Sequence, residues 1–277
     1  MSIKNKKTFA IIGNPIEHSL SPTLHNYWFN KYEIDANYSL LHVDEEELES
    51  VIKKIRGKEI SGINVTLPYK QKIIPYIDKL VNDAKSTNSV NTVFLDNDDE
   101  LIGENTDVYG LQAGYLKELT NAKNKRVLII GAGGVSPSVI YSLQKSKISN
   151  VSIVNRTYEK SIFIKKRFNF INVLEWKTLE DQLKNFDIII NATSLGLKNG
   201  NDFEFDFKKI KDNLIFIDTI YNPLETKTLK YLKEKRIKTF NGLEMFIYQG
   251  QKSFYLWNKI NPEIDDDLIN LLVSKLQ

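Results

Sequence analysis

The chain contains no cysteine. Disulfides, cysteine-ligated iron–sulfur clusters and thiolate zinc sites are therefore excluded. Histidine is nearly as scarce: His18, His25 and His42 form no pair with a metal-ligand spacing, so no metal is expected. Glycine, at 13, and proline, at 7, are too few for a collagenous or low-complexity chain. No apolar run approaches the ~20 residues of a membrane span. The run Phe9 to Ile12, behind basic Lys4, Lys6 and Lys7, is too short for the core of a signal peptide. An excess of one charge is missing too. The 38 Lys+Arg face 35 Asp+Glu, a net of +3, whereas nucleic-acid binders concentrate positive charge to neutralise phosphates. The pairs Lys53-Lys54 and Lys208-Lys209 are short, flanked by apolar residues, and read as solvated helix faces. The expectation is a cytoplasmic protein without a nucleic-acid or membrane partner.

What is present suits a folded enzyme-sized chain. The 277 residues predict about two domains, with 42% hydrophobic and 26% charged residues in ordinary proportion. Phe9 to Gly13 reads as a buried strand. Ser21-Pro22 predicts a helix start, serine capping and proline in the first position, with Leu24, Trp28 and Tyr32 along one face. Tyr38 to Val43 predicts a strand and Glu45 to Ile55 a helix. In Gly62 to Leu67, Ile63, Val65 and Leu67 alternate with Asn64 and Thr66 as in a strand, and Pro68 again predicts a helix start. A connecting helix is expected over Gly110 to Leu119. Further apolar runs at Arg126 to Ile130, Val151 to Asn155, Asp187 to Asn191 and Leu214 to Asp218 have the spacing of a doubly wound parallel sheet. The segment from about Leu243 to Gln277 is helical in pattern, broken at Pro262.

The loop Gly131, Ala132, Gly133, Gly134 and Val135 follows an apolar run and precedes a helix. Glycines there let backbone amides and a helix N-terminus approach a pyrophosphate. A tight turn with no ligand, or the similar loops of methyltransferases and flavoproteins, would fit this motif alone. The next strand narrows the choice. An NAD site would end it with an acid that binds the ribose 2′-hydroxyl. Here Asn155 leads into Arg156 and Thr157, with Lys160 nearby. Arginine can pair with a 2′-phosphate in a forked geometry, so the expected cofactor is NADP.

The segment Gly13-Asn-Pro15-Ile-Glu-His18-Ser19-Leu-Ser21-Pro22-Thr-Leu-His25-Asn26 resembles the N-terminal signature of shikimate dehydrogenases. So do Asn64-Val-Thr66-Leu-Pro68-Tyr-Lys70, Val90-Asn91-Thr92 and Gly103-Glu-Asn105-Thr106-Asp107. The order continues through the glycine loop, Asn155-Arg156-Thr157, Asn191-Ala-Thr193-Ser194-Leu-Gly196, Asp218-Thr-Ile-Tyr221-Asn-Pro223 and Gly242-Leu-Glu-Met-Phe-Ile-Tyr-Gln249. This resemblance implies reversible, NADP-linked reduction of 3-dehydroshikimate to shikimate, a step toward aromatic amino acids. It implies an α/β fold of two domains with a cleft between them: a substrate domain of 1–107 plus 243–277, and a Rossmann-type NADP domain of 108–242.

The resemblance also implies residue roles. Lys70 and Asp107 are the chemical pair, since charge grows on a ketone oxygen as it is reduced and must be stabilised and protonated. Ser19 and Ser21 hold the substrate carboxylate. Thr66, Asn91, Tyr221 and Gln249 complete the substrate pocket with Lys70 and Asp107. Thr193, Ser194, Thr219 and Gly242 face the cofactor, and Asp83 lies close to an acidic position placed near it. His18 and His25 read as structural. Two departures stand out: Asn88-Ser89 where the family commonly has Gly-Ala, and Ser136-Pro137 where the glycine loop usually continues with alanines. Two other functions stay open, a quinate/shikimate dehydrogenase of broader substrate and cofactor range, and a catalytically silent NADP- or metabolite-binding regulator. A homodimer is open as well.

Overall fold

The computed structural model describes residues 6–119, 123–198, 200–205 and 207–276. In chain order the strands are β1 (Lys7–Gly13), β2 (Ala36–His42), β3 (Gly62–Val65), β4 (Lys79–Leu80), β5 (Thr92–Leu95), β6 (Leu101–Glu104), β7 (Val127–Ile130), β8 (Val151–Val154), β9 (Asn172–Leu174), β10 (Ile188–Asn191), β11 (Ile215–Asp218) and β12 (Lys238–Phe240). The α-helices are α1 (Ser21–Lys31), α2 (Leu48–Arg56), α3 (Asn82–Thr87), α4 (Asp107–Gly114), α5 (Ser136–Lys145), α6 (Tyr158–Arg167), α7 (Leu179–Gln182), α8 (Lys227–Glu234), α9 (Leu243–Asn258) and α10 (Asp266–Ser274). Two compact units result: Met1–Gly110 with Ile247–Lys275, and Leu111–Phe246 with Leu276–Gln277.

The first unit holds a sheet in the order β2-β1-β3-β5-β6-β4. β1 runs parallel to β2 and β3, β5 antiparallel to β3 and β6, and β4 parallel to β6. The C-terminal ends of β1, β3 and β6 and the start of β5 therefore share one sheet edge. Ile12, Ile63, Val65, Val90, Val93 and Leu101 form its core with 1% exposure or less, each contributing roughly 1.5–3 kcal/mol. α2 packs on this core through Leu48, Val51, Ile52 and Ile55, a helical stripe. Asp44 and Glu47 form a capping box at the 3₁₀ turn that leads into it.

Three local expectations are corrected. Ser21 is the first residue of α1 and Leu20 its cap; the Ser21 amide donates to the Ser19 hydroxyl at 3.3 Å instead of receiving a serine cap. After Pro68 there is no α-helix, only turns and a 3₁₀ helix at Ile74–Tyr76. Pro75 recurs too soon for a run of helical hydrogen bonds between the two prolines, because it has no N–H to give. The expected connecting helix is also shorter, α4 followed by a 3₁₀ turn at Leu116–Leu119.

The second unit is a fully parallel sheet, β12-β11-β10-β7-β8-β9. Counted from β7, this is the 3-2-1-4-5-6 order of a doubly wound fold, whose switch point lies between β7 and β10. Both faces are covered, so all four residues of β7 are fully buried and read as one apolar run. One face packs Val127, Ile129, Val151 and Ile153. The other packs Leu128, Ile130, Phe186 and Phe216. Among the described residues no helix is long and apolar enough to cross a membrane.

Candidate active site

Thr66, Lys70, Asn91 and Asp107 all follow or precede strand ends at the shared sheet edge. β3 ends at Val65, and the Thr66 amide donates to Ile12 O at 2.9 Å while Asn14 N donates to Leu67 O at 3.1 Å. The ends of β1 and β3 are thus stitched together. The loop beyond is anchored by buried Tyr69, whose hydroxyl donates to Val43 O at 2.7 Å, and by Val90 N donating to Lys70 O at 2.8 Å. Anchored on both sides, Lys70 places its ammonium 2.6 Å from Asp107 Oδ2, with side chains only 11% and 6% exposed.

Asp107 is held from a second direction. Asn91 Nδ2 donates to Asp107 Oδ1 at 2.9 Å. The Asn91 amide cannot flip, because its oxygen accepts from Thr106 N at 2.7 Å and from Thr92 Oγ1 at 3.1 Å. Behind it lies a buried polar network that the sequence did not announce. Ser253 of α9 bonds Thr92 Oγ1 at 2.9 Å and Thr106 Oγ1 at 3.1 Å, and accepts from Asn64 Nδ2 at 3.0 Å. Asn64 in turn accepts from Tyr38 OH at 2.8 Å. The one sequence signal was Asn64 on the polar face of a strand whose four residues all prove buried. Gln249 lies one turn before Ser253 and is half-buried, its carbonyl accepting from Ser253 Oγ at 3.1 Å.

Ser19 and Ser21 bond each other, Oγ to Oγ, at 3.2 Å at the start of α1. His25 is fully buried, stacked on Tyr38 with centroids 4.4 Å apart. Among the described residues neither ring nitrogen has a hydrogen-bond partner, and burial pushes its pKa down to about 3; it is a neutral packing group. Asp83 opens α3 beside buried Glu104, whose pKa is raised by burial and, to a lesser degree, by the Asp83 charge. Asn88 adopts φ 52° at the end of α3, the left-handed position where a glycine is usual and asparagine is tolerated. Ser89 beside it is fully buried and its carbonyl accepts from Asn105 Nδ2 at 2.9 Å.

In the second unit the quoted residues line the C-terminal edge of the parallel sheet. Gly131 has φ +114° and a Cβ there would lie 2.6 Å from Ala192 O, so only glycine fits. Gly133 differs: a Cβ would meet nothing nearer than Ala192 O at 4.0 Å. Its open flank is the cradle that a pyrophosphate needs. Ser136 closes the loop from behind, donating to Gly131 O at 2.9 Å and accepting from Gly133 N at 3.1 Å. Pro137 sits in the first turn of α5, where its missing N–H is harmless, and Gly134 and Val135 lead into that turn. Asn155 accepts from Ala132 N at 3.2 Å and donates to Thr157 O at 2.9 Å, so it braces the two loops. Arg156 and Lys160 are exposed and have no hydrogen-bond or ion-pair partner for their side chains among the described residues.

The ends of β10 and β11 are tied by a carboxylate whose partners are amide and hydroxyl groups. Asp218 accepts from Asn191 Nδ2 at 3.0 Å, Ile220 N at 3.1 Å and Thr226 Oγ1 at 3.0 Å. Burial pushes its pKa up to about 6. Asn191 Oδ1 accepts from Thr193 N and Oγ1, at 3.0 and 2.7 Å, and Thr219 Oγ1 donates to Asn191 O at 2.9 Å. Ser194 is exposed beside them, and Gly242 N donates to Ile220 O at 2.7 Å. Tyr221 belongs to this unit, stacked on Phe246 at 4.4 Å.

Most of these residues lie in two regions that known proteins match, with Asp107, Gly242, Gln249 and Ser253 among those outside both. The family model described as shikimate dehydrogenase substrate binding domain matches residues 11–93, and that described as shikimate / quinate 5-dehydrogenase matches 115–238. A shikimate dehydrogenase (NADP(+)) of Pelagibacter ubique is 47% identical over 267 residues, covering 96% of this chain and 99% of its own. The shikimate dehydrogenase of Aquifex aeolicus superposes with a TM-score of 0.88 at 35% identity, covering 99% of each chain. That of Thermus thermophilus, solved in complex with NADP(H) and shikimate, gives 0.84 at 26% identity, covering 98% of this chain and 100% of its own. Likeness of this extent, in sequence and in backbone, makes the chain a member of the shikimate dehydrogenase family.

Proposed function

We propose that the chain catalyses the reversible, NADP-linked reduction of 3-dehydroshikimate to shikimate. The observation that carries this reading is the Lys70–Asp107 pair, 2.6 Å apart and fixed by Asn91. Reduction puts negative charge on the ketone oxygen; Lys70 donates a hydrogen bond to it and then a proton. Asp107 holds the ammonium and accepts from a substrate hydroxyl. Ser19 and Ser21 hold the carboxylate at the start of α1, and Thr66, Asn91, Gln249 and Tyr221 meet the remaining hydroxyls. When bound, the reduced nicotinamide supplies the hydride.

The open flank of Gly133 and the unpartnered Arg156 fit that cofactor. In this reading the 131–135 loop takes the pyrophosphate, Arg156, Thr157 and Lys160 the 2′-phosphate, and Thr193, Ser194, Thr219 and Gly242 the nicotinamide end. Asp83 is assigned to the cofactor's neighbourhood on resemblance alone. The substrate domain is 1–107 plus 243–277 and the NADP domain 108–242. The enzyme works in the cytoplasm on a small molecule, with neither nucleic acid nor membrane as partner. Sedimentation equilibrium distinguishes a homodimer from a monomer.

The test follows reduced-cofactor absorbance with shikimate or quinate and NADP or NAD in every pairing. Fast turnover only with shikimate and NADP is the expected result. Comparable rates with quinate or NAD would make it a broader quinate/shikimate enzyme, a reading favoured by the description of the 115–238 match. Binding without turnover in any pairing would make it a regulator on the same fold.

A further inference from the structure

A cavity of about 300 Å³ opens beside the loop after β8, and only half of its lining comes from the motif that carries Arg156. Asn155, Arg156 and Tyr158 form one wall; Glu175, Trp176 and Lys177, just past the end of β9, form the other. β8 and β9 are parallel neighbours, so both loops leave the same sheet edge, where doubly wound folds take their ligands. Trp176 is not a loose surface ring: it packs on the sheet core and meets Phe205 edge-on at 5.9 Å. Opposite Arg156, Lys177 is exposed and pairs with Glu175 at 2.7 Å.

We propose that Trp176 and Lys177 complete the adenine end of the cofactor site, Trp176 as the apolar wall against the base and Lys177 as a specificity-determining cation for the ribose 2′-phosphate, with Glu175 as the partner the phosphate displaces. The inference rests on the NADP reading above. Its physical ground is charge. Of the two cations assigned above to the 2′-phosphate only Arg156 lines this cavity, and one guanidinium does not neutralise a phosphate monoester, which carries about −1.5 to −2 at neutral pH. Lys177 brings a second positive charge from the facing wall. Glu175 holds that ammonium over the cavity in the free protein and repels the incoming anion, so the site's phosphate preference is a balance between the two. An aromatic wall and a guanidinium suit the two sides of a flat base.

Titration calorimetry of the full chain with adenosine 2′,5′-bisphosphate and with adenosine 5′-monophosphate tests this. Wild type binding the bisphosphate more tightly than the monophosphate checks the NADP preference itself. Lys177→Ala is then expected to weaken the bisphosphate about fivefold, as for an exposed ion pair, and to leave the monophosphate unchanged. Glu175→Gln is expected to tighten the bisphosphate alone, and Trp176→Leu to weaken both ligands together. An unchanged ligand preference in Lys177→Ala, with the wild-type preference intact, overturns the proposal while NADP use stands. Absence of any preference in the wild type removes the NADP reading and the proposal with it.

Discussion

Asn91 grips one oxygen of the Asp107 carboxylate at 2.9 Å, and its own amide is locked by the Thr106 N–H at 2.7 Å. Asn91→Asp keeps the acceptor toward Thr106 and turns the donor toward Asp107 into a second carboxylate. Two carboxylates at that spacing cannot both ionise, so one keeps its proton to higher pH. The acid limb of the kcat/KM profile is expected to move up by about one pH unit or more. A limb that stays in place would show that this contact is absent from the working enzyme.

Lys70→Ala removes both the donor to the ketone oxygen and the counter-charge of a nearly buried carboxylate. Steady-state kinetics should show kcat lower by about 10²-fold or more, with the KM for shikimate changing far less. Denaturant unfolding should show a loss of about 3 kcal/mol, because Asp107 is left without its partner. An unchanged kcat would sink the role given to Lys70.

The two loop glycines separate folding from binding. Gly131→Ala forces a side chain into φ +114° and against Ala192 O, which costs about 1–3 kcal/mol; melting temperature should fall. Gly133→Ala meets only Ala192 O, at an unstrained 4.0 Å, so melting should hardly change. Its methyl fills the cradle instead, and NADP affinity should drop about tenfold, a change of ~1.4 kcal/mol.

Asp218 ties stability to pH in an unusual direction. Its pKa rises to about 6 on folding, from an unfolded value of about 3.9. The folded chain therefore binds the proton more tightly, and this contribution is lost as pH climbs from 4 through 6. Unfolding free energies of wild type and Asp218→Asn should diverge in the variant's favour over that window, by about 3 kcal/mol.

His25 acts with the opposite sign. Its pKa falls to about 3 in the fold, against about 6.5 unfolded, so its contribution is present above pH 6.5 and lost as pH falls toward 3. His25→Phe keeps a flat ring on Tyr38 and cannot be protonated. Its stability should stay flatter than wild type in acid; parallel curves would contradict the buried neutral ring.

Legibility in the sequence followed how local each requirement is. Gly131 and Gly133 could be read because backbone approach demands glycine at fixed steps after an apolar strand. Lys70 and Asp107 could be read only through their motifs, since an isolated lysine carries no mark of the carboxylate it will meet. Ser253 was invisible: its partners Asn64 and Thr92 lie 189 and 161 positions away, and no periodicity signals a buried hydroxyl. Trp176 and Lys177 were missed because a wall formed by two neighbouring strand ends has no spacing of its own. The helix expected after Pro68 is absent because a first-turn proline fits a turn equally well and Pro75 has no N–H to give.

The first unit is discontinuous: it takes residues up to Gly110 and resumes at Ile247. Ser253, which bonds Thr92 and Thr106 behind Asn91, belongs to the late piece. On the ribosome, Lys70 and Asp107 emerge long before the helix that buries their polar support. Until α9 is synthesised, Asn64, Thr92 and Thr106 must keep water as their partner. The parallel sheet of the second unit, encoded in between, is complete earlier. In the order of synthesis, the sheet begun first receives its polar support only after the second sheet is complete.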